Sequence, residues 1–397
     1  YFDESGKNSH YTLYENSNLP IYIFMSVIIG IFMGLTVSAE EVIKDRKILK
    51  REAFLNLSWN SYLMSKVFVQ FAISAIQAFT FVLVGNGITE IRGMMFEYWL
   101  VLFSCWAGAN MMGLLISDSF KAVVTIYILI PILVIPQIIL SGVMVKFEKL
   151  NPNISSPVSI PVYGEFITAR WGYEALAVKQ FISNNYEQPF YLFEKEMSKA
   201  SFKKDYWNVE IKGALDDILN DLNKGVNDKE FSDNLLLVSN EIKKQNVLTP
   251  DIRFAYTDQL TTEKITPEIA EAAKVWVEAI RKLYVTKYND ASNHKEALKS
   301  KLTGENLQKF LKLRDSYFNK SLEEFVKNKN ETVKTIVYKG ELMQKSDPIF
   351  MDSRNKLIRA HFYAPEKQVF GMKVDTFVVN VIVLWVITSF LYVALYL

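Results

Sequence analysis

The sequence predicts an all-α fold: a polytopic bundle of membrane-crossing helices, with a large, mainly helical extracytoplasmic domain inserted before the last span. Three observations predict it. The apolar residues, 50% of the chain, stand in blocks rather than spread evenly. Long oily runs occupy residues 19–39, 67–84, 98–117, 122–145 and 374–397, and a bilayer crossing needs about 20 mostly apolar residues. Between the last two runs, residues 183–370 have ordinary soluble composition with apolar residues at helical spacing.

The elements follow in chain order. Tyr1 to Asn18 is polar, no initiator Met or signal peptide precedes it, and the chain stops inside an oily run at Leu397. We therefore expect a piece of a longer protein. The first span carries Ser26, Gly30 and Gly34. Small residues at this spacing let helix backbones approach closely, although Gly is also simply common in membrane helices. The strip from Glu40 to Lys66 then holds Lys44, Arg46, Lys47, Lys50, Arg51 and Lys66. Short loops rich in Lys and Arg stay cytoplasmic, which places this strip inside and, by alternation, residues 146–373 outside. On a helix, Val42, Ile43, Leu49 and Phe54 form an oily stripe, the pattern of a helix lying along a membrane surface.

The spans contain few polar residues: Gln70, Gln77, Asn110, Gln137 and Asn380. Such groups act as helix-to-helix glue or line a cavity, and Asn110 and Gln137 are the candidates for lining a pathway. Pro131 and Pro136 each remove a backbone donor from the fourth run, which should bend there as a pathway wall or a static kink. No acid or base lies at mid-depth, which argues against an ion-coupled carrier.

In the outer segment, Thr266 caps a helix opened by Pro267, with Ile269, Ala272, Ala273, Trp276, Ile280 and Leu283 on its apolar face. Leu215, Ile218, Leu219 and Leu222 form a second stripe. Leu307, Phe310, Leu311, Phe318, Leu322 and Phe325 form a third. The pattern is that of a helical bundle. Residues 332–340 read as a short strand.

Composition excludes several classes. A net charge of +2 without a basic, aromatic-interleaved patch gives no nucleic-acid footprint. Cys105 is the only cysteine, so no internal disulfide forms, and a large outer domain without one favours a bacterial source. His10, His294 and His361 are scattered, and neither a metal motif nor a nucleophile elbow accompanies them. Neither a catalytic nor a metal site is expected in this chain. Asn153, Asn319 and Asn330 head glycan-acceptor triplets of the kind that arise by chance.

Two stretches resemble a known family. "DRKILKREAFLNLSWNSYLMSK" is similar to the first cytoplasmic loop of G-subfamily ABC exporter permeases, the white and pleiotropic-drug-resistance kind, through Arg51-Glu52, Leu57-Ser58, Tyr62 and Lys66. The run Arg170, Trp171, Gly172, Tyr173, Glu174, Ala175 and Leu176 resembles the tail of the family's re-entrant segment, here residues 151–182. The resemblance covers residues 1–182 and 371–397. It implies a sixth span upstream, a partner ATP-binding cassette that carries ATP and Mg, and pairing of two bundles around a central path in a plasma membrane, the inner membrane of a bacterium.

No Walker A pattern occurs in the chain itself. The outer segment is also longer than familiar members have. By resemblance, residues 40–66 form a coupling loop in which Glu40, Glu41, Arg46, Arg51 and Glu52 take the push of the cassettes. Arg170, Trp171, Tyr173 and Glu174 mark the re-entrant motif. The expected function is outward, ATP-driven movement of a lipid-like or amphipathic substrate. The alternative is a mechanical signaller whose outer domain acts on a partner without transport.

Overall fold

The apolar blocks become helices. The computed structural model describes residues 11–52, 58–151, 156, 159–301, 304–355 and 357–397. The helices of the oily runs are α1 (Leu19–Ser38), α3 (Trp59–Ile88), α4 (Met95–Ser119), α5 (Val123–Ile139) and α13 (Thr376–Tyr396). The charged strip supplies α2 (Glu41–Glu52). By length and composition, the stretches Leu19–Arg51, Trp59–Ile88, Met95–Ser119 and Thr376–Tyr396 can each cross a membrane, while Val123–Ile139 is apolar but shorter. The fourth run, expected to reach residue 145, ends as helix at Ile139, three residues after its second proline. Proline cannot bond back into the preceding turn, so the end of this run has lost part of its ladder.

The chain divides into two compact units. One comprises residues 1–188, 308–326 and 352–397; the other comprises residues 189–307 and 327–351. The first is the helical membrane bundle. In it α4 packs against α1, α3 and α13. The small face of α1 is used here: a Cβ added at Gly34 would lie 2.7 Å from the Trp106 carbonyl oxygen of α4, and one at Gly113 would lie 3.0 Å from the Leu35 carbonyl. Only glycine lets these two backbones come so close.

Cross-bonds sort the helix ends into two sets. Tyr22 donates to Asn86 (3.1 Å) and Tyr11 to the Thr89 carbonyl (2.7 Å), so the start of α1 lies beside the end of α3. Tyr392 donates to Asn60 (3.2 Å), so the end of α13 lies beside the start of α3. Along the bundle α1 and α13 thus run opposite to α3, with α2 at one end and residues 11–18 at the other.

That other end carries α6 (Thr168–Ile182), α11 (Glu305–Tyr317), α12 (Lys320–Val326) and a hairpin of β3 (Glu366–Val369) and β4 (Met372–Asp375). Buried Asn319 caps α12 by accepting from Leu322 (2.7 Å), and its amide donates to the carbonyls of Leu13 and Asn16, each at 2.7 Å. A glycan could not be placed there in the folded chain. Asn330 is exposed, and Asn153 falls outside the described residues.

The second unit contains α7 (Tyr191–Ser201), a π-helical turn (Phe202–Trp207), α8 (Asn208–Lys224), α9 (Lys229–Leu248), α10 (Pro267–Ser300), and an antiparallel hairpin of β1 (Thr335–Tyr338) and β2 (Glu341–Gln344). Its core joins Trp207, Leu215, Ile218, Val238, Ile242, Ile269, Trp276 and Ile280. Thr266 caps α10 by accepting from Ile269 (3.4 Å), as its sequence predicts. The third expected stripe behaves differently. From Phe310 to Phe325 it belongs to the membrane unit, where Phe318 stacks on Tyr14 and meets Phe181, while Leu307 and Phe325 stay exposed. The division thus does not follow the expected boundaries at 183 and 370.

Candidate functional site

Two constructions of buried or braced charge stand at opposite ends of the membrane bundle.

The first is built on α2. Its backbone N–H groups at Val42 and Ile43 both donate to Ser117 Oγ on α4, at 3.1 and 3.0 Å. First-turn N–H groups have no partner within a helix, so a hydroxyl from a neighbouring helix satisfies them and fixes the helix start. Arg46 donates to the Asp118 carbonyl (2.5 Å) at the end of α4. Lys66 of α3 bonds Glu41 (3.0 Å) and Asp45 (2.8 Å), and Tyr62 of α3 donates to Asp45 (3.1 Å). Glu40, just ahead of α2, holds Lys44 (2.5 Å) and accepts from Tyr127 of α5.

Every acid of this strip outside the final turn thus faces the bundle. The outward face carries Lys44, Lys47, Ile48, Lys50 and Arg51, all exposed. Of the expected coupling residues, Glu40, Glu41 and Arg46 are braces into the bundle, and Arg51 is on the outward face. The side chain of Glu52 and the whole of Leu57 and Phe54 lie outside the described residues. Tyr62 and Lys66, read in sequence only as family marks, turn out to be the anchors on α3.

The second construction is an ion cluster with a fully buried centre and a half-buried acid, Glu165, at its edge. Arg170 donates through Nη1 to Glu174 (3.1 Å), through Nη2 to Glu165 (2.6 Å), and through Nε to the Gly164 carbonyl (2.9 Å). Lys367 of β3 donates to the same Glu174 Oε2 (2.6 Å) and to Asn380 Oδ1 of α13 (2.8 Å). Asn380 Nδ2 donates to Glu174 Oε2 (2.9 Å) and to the Trp171 carbonyl (3.1 Å). Trp171 donates to the Glu165 carbonyl (2.8 Å), and both cations lie against its ring, Arg170 at 3.5 Å and Lys367 at 4.4 Å from the centroid.

Arg170 and Glu174 are 0% exposed and Lys367 1%. Ions so far from water persist only when paired and hydrogen-bonded. Burial lowers the Lys367 ammonium to about 8, although Glu174 opposes the shift. Oε2 of Glu174 receives three donors, while its Oε1 meets none among the described residues. Tyr173 stands beside the cluster, stacked on Phe362, edge-on to Phe24, and bonded to the Tyr363 hydroxyl (3.4 Å). The arrangement holds no nucleophile paired with a base; it can position helices and resist their displacement.

The structure thus brings Arg170, Trp171, Tyr173 and Glu174 together and adds Glu165, Lys367 and Asn380. Lys367 and Glu165 carried no signal in the sequence, and Asn380 carried only its polarity within a span. Asn110 is fully buried and donates to Ser74 Oγ (2.6 Å) and the Gln70 carbonyl (3.3 Å) of α3, the bond of helix glue. Gln137 accepts from the Ala169 N–H (2.9 Å), fixing the end of α5 to the start of α6. Pro131 and Pro136 both lie inside α5. Among the described residues, no group of His, Cys, Asp and Glu could hold a metal ion.

Fold and sites together define an integral membrane protein built as a helical bundle, with a braced charged helix at one end. Residues 4–180 match the family model of the ABC-2 type transporter. The ABC transporter ATP-binding/permease protein Rv1747 of Mycobacterium tuberculosis is 30% identical over 170 residues, which cover 40% of this chain and 19% of that protein. The chain thus spans about a fifth of the length of the curated relative it matches. No solved structure shows a significant match. The two likenesses support a membrane component of an ABC transporter.

Proposed function

We propose that this chain is the membrane part of a bacterial ATP-driven exporter of the G-subfamily type, and that it moves a lipid-like or amphipathic substrate outward. ATP and Mg bind on a cassette fused upstream or carried by a partner, and two bundles work together around one path. The strip 40–66 faces the cytoplasm and residues 183–370 the far side. One observation carries the reading: α2 is tied to α3 and α4 and, through Glu40, to α5, while its opposite face is basic and open. A push on that face reaches three helices at once. An ordinary surface helix has no need of such bracing.

The test is a complete transporter in liposomes, with ATP-dependent efflux of a fluorescent phospholipid analogue. Lys66→Met removes the ties to Glu41 and Asp45. Hydrolysis should continue while efflux collapses, and unchanged efflux would overturn the coupling role. The second reading, mechanical signalling, is favoured by the separate hydrophobic core of residues 189–307 and 327–351. It predicts ATP-dependent changes in protease sensitivity of that unit without lipid movement.

A further inference from the structure

We infer that Lys367 is a positioning residue that locks α6, the β3–β4 hairpin and the first turns of α13 into one rigid element. The last span would then be entered through a fixed joint, not a loose linker. Three separate observations meet here.

The base of the hairpin is closed on the helix. The Thr376 N–H donates to the Pro365 carbonyl (3.1 Å), the Thr376 hydroxyl donates to the Ala364 carbonyl (2.6 Å), and Asp375 caps α13 by accepting from Phe377 (2.8 Å). Chain entering β3 and chain leaving β4 are thus held at one point. Lys367 then reaches from β3 across to α6 and α13 together, through Glu174 and Asn380. Finally, α6 is itself tied to the turn before it by Arg170 to Gly164 and Trp171 to Glu165.

The ammonium joins both helices from the hairpin side at a buried point; the other tie, Asp375 of β4 to Lys179 of α6 at 3.7 Å, is longer and partly exposed. Its removal leaves the Glu174 carboxylate with Arg170 and Asn380 and cuts the buried tie between the hairpin and α6, leaving the longer, partly exposed Asp375–Lys179 pair. A buried lysine is a costly way to join apolar surfaces, since the same volume of hydrocarbon would pack without desolvating a charge. What the ion pair supplies instead is a preferred register, because an ammonium drawn out of the cluster is left buried and unpaired. A tilt of α13 would therefore carry α6 and the hairpin with it.

The experiment measures distances by paired spin labels in the purified full chain, with Cys105 replaced by Ser. One label sits at Phe370→Cys on the hairpin turn, the other at Val162→Cys ahead of α6; these sites are 87% and 63% exposed. The unaltered cluster should give a narrow distance distribution. Lys367→Met should broaden it and lower the melting temperature, because Glu174 loses a counter-charge. The decisive variant is Glu174→Gln with Lys367→Met. Melting should recover, since no charge is left stranded, but the distribution should stay broad. A narrow distribution in the double variant would show that Lys367 only balances charge, and the inference would fall. The readout needs neither substrate nor ATP, so its failure is distinguishable from failure of the export reading.

Discussion

Lys367 and Glu174 lie 193 positions apart in sequence and meet at 2.6 Å, both withdrawn from water. Breaking a buried pair by deleting one partner typically costs about 3–5 kcal/mol. Glu174→Gln alone should cost at least as much as Lys367→Met, because it leaves the buried ammonium with only Asn380, whereas after Lys367→Met the carboxylate keeps Arg170 and Asn380. Thermal melts of the two purified variants in detergent check the order.

Close packing of α1 on α4 gives a steric prediction. A Cβ at Gly34 meets the Trp106 carbonyl at 2.7 Å and the Ala109 methyl at 2.8 Å, so neither neighbour can yield cheaply. Gly34→Ala should destabilise by about 1–3 kcal/mol. Gly87, with nothing within 4 Å of its added Cβ, is the control. Gly87→Ala should be neutral or slightly stabilising, since alanine favours helix. Equal melts for the two variants would contradict the contact.

The clasp at Asn319 is a third target. Its amide holds two carbonyls of the strap before α1, and its carbonyl caps α12. Asn319→Ala removes the side-chain cap from the Leu322 N–H and leaves the Leu13 and Asn16 carbonyls only their longer local backbone bonds, and should cost about 1–2 kcal/mol. Protease cleavage within residues 11–18 should then appear before cleavage elsewhere in the bundle.

The second unit offers a pH prediction. Burial pushes the Glu194 carboxyl up, but Lys327 (2.8 Å) and Lys295 (2.5 Å) outweigh it and hold the group down to about 2. A carboxyl with a depressed folded value contributes stability that is present above its unfolded value of 4.5 and is lost as pH falls toward the folded value. The melting of the wild type should therefore drop between about pH 5 and pH 3 more steeply than that of Glu194→Gln. Parallel profiles would remove the ion triad from the account.

Much of this was legible in the sequence, for identifiable reasons. Oily runs set the helices because burial in lipid demands long apolar stretches, and Thr266 with Pro267 marked the start of α10 through local capping chemistry alone. The hairpin β3–β4 was missed because its four-residue strands are short and polar. The third apolar stripe was seen, but its packing partner was not: Phe318 chooses Tyr14 and Phe181, a choice that helical spacing does not encode. The charged strip stood out in the sequence, but which of its charges brace the bundle did not, since a charge pattern does not say which charges point inward. Lys367 was invisible for the same reason that it matters, because its partners are brought to it only by the fold.

The central claim is that α2 passes the work of an ATPase into the bundle. The direct measurement is cross-linking in the complete transporter, with Lys47→Cys on the outward face of α2 and Cys105→Ser as background. A short bifunctional thiol reagent should join this position to the ATP-binding cassette, with a yield that changes on adding ATP. In that background, reversing Lys50 and Arg51 to Glu should abolish both the link and substrate-stimulated hydrolysis. If position 47 is instead labelled by a lipid-borne photoreactive probe, and the cassette is never joined, α2 is a helix resting on the membrane and the coupling account is wrong.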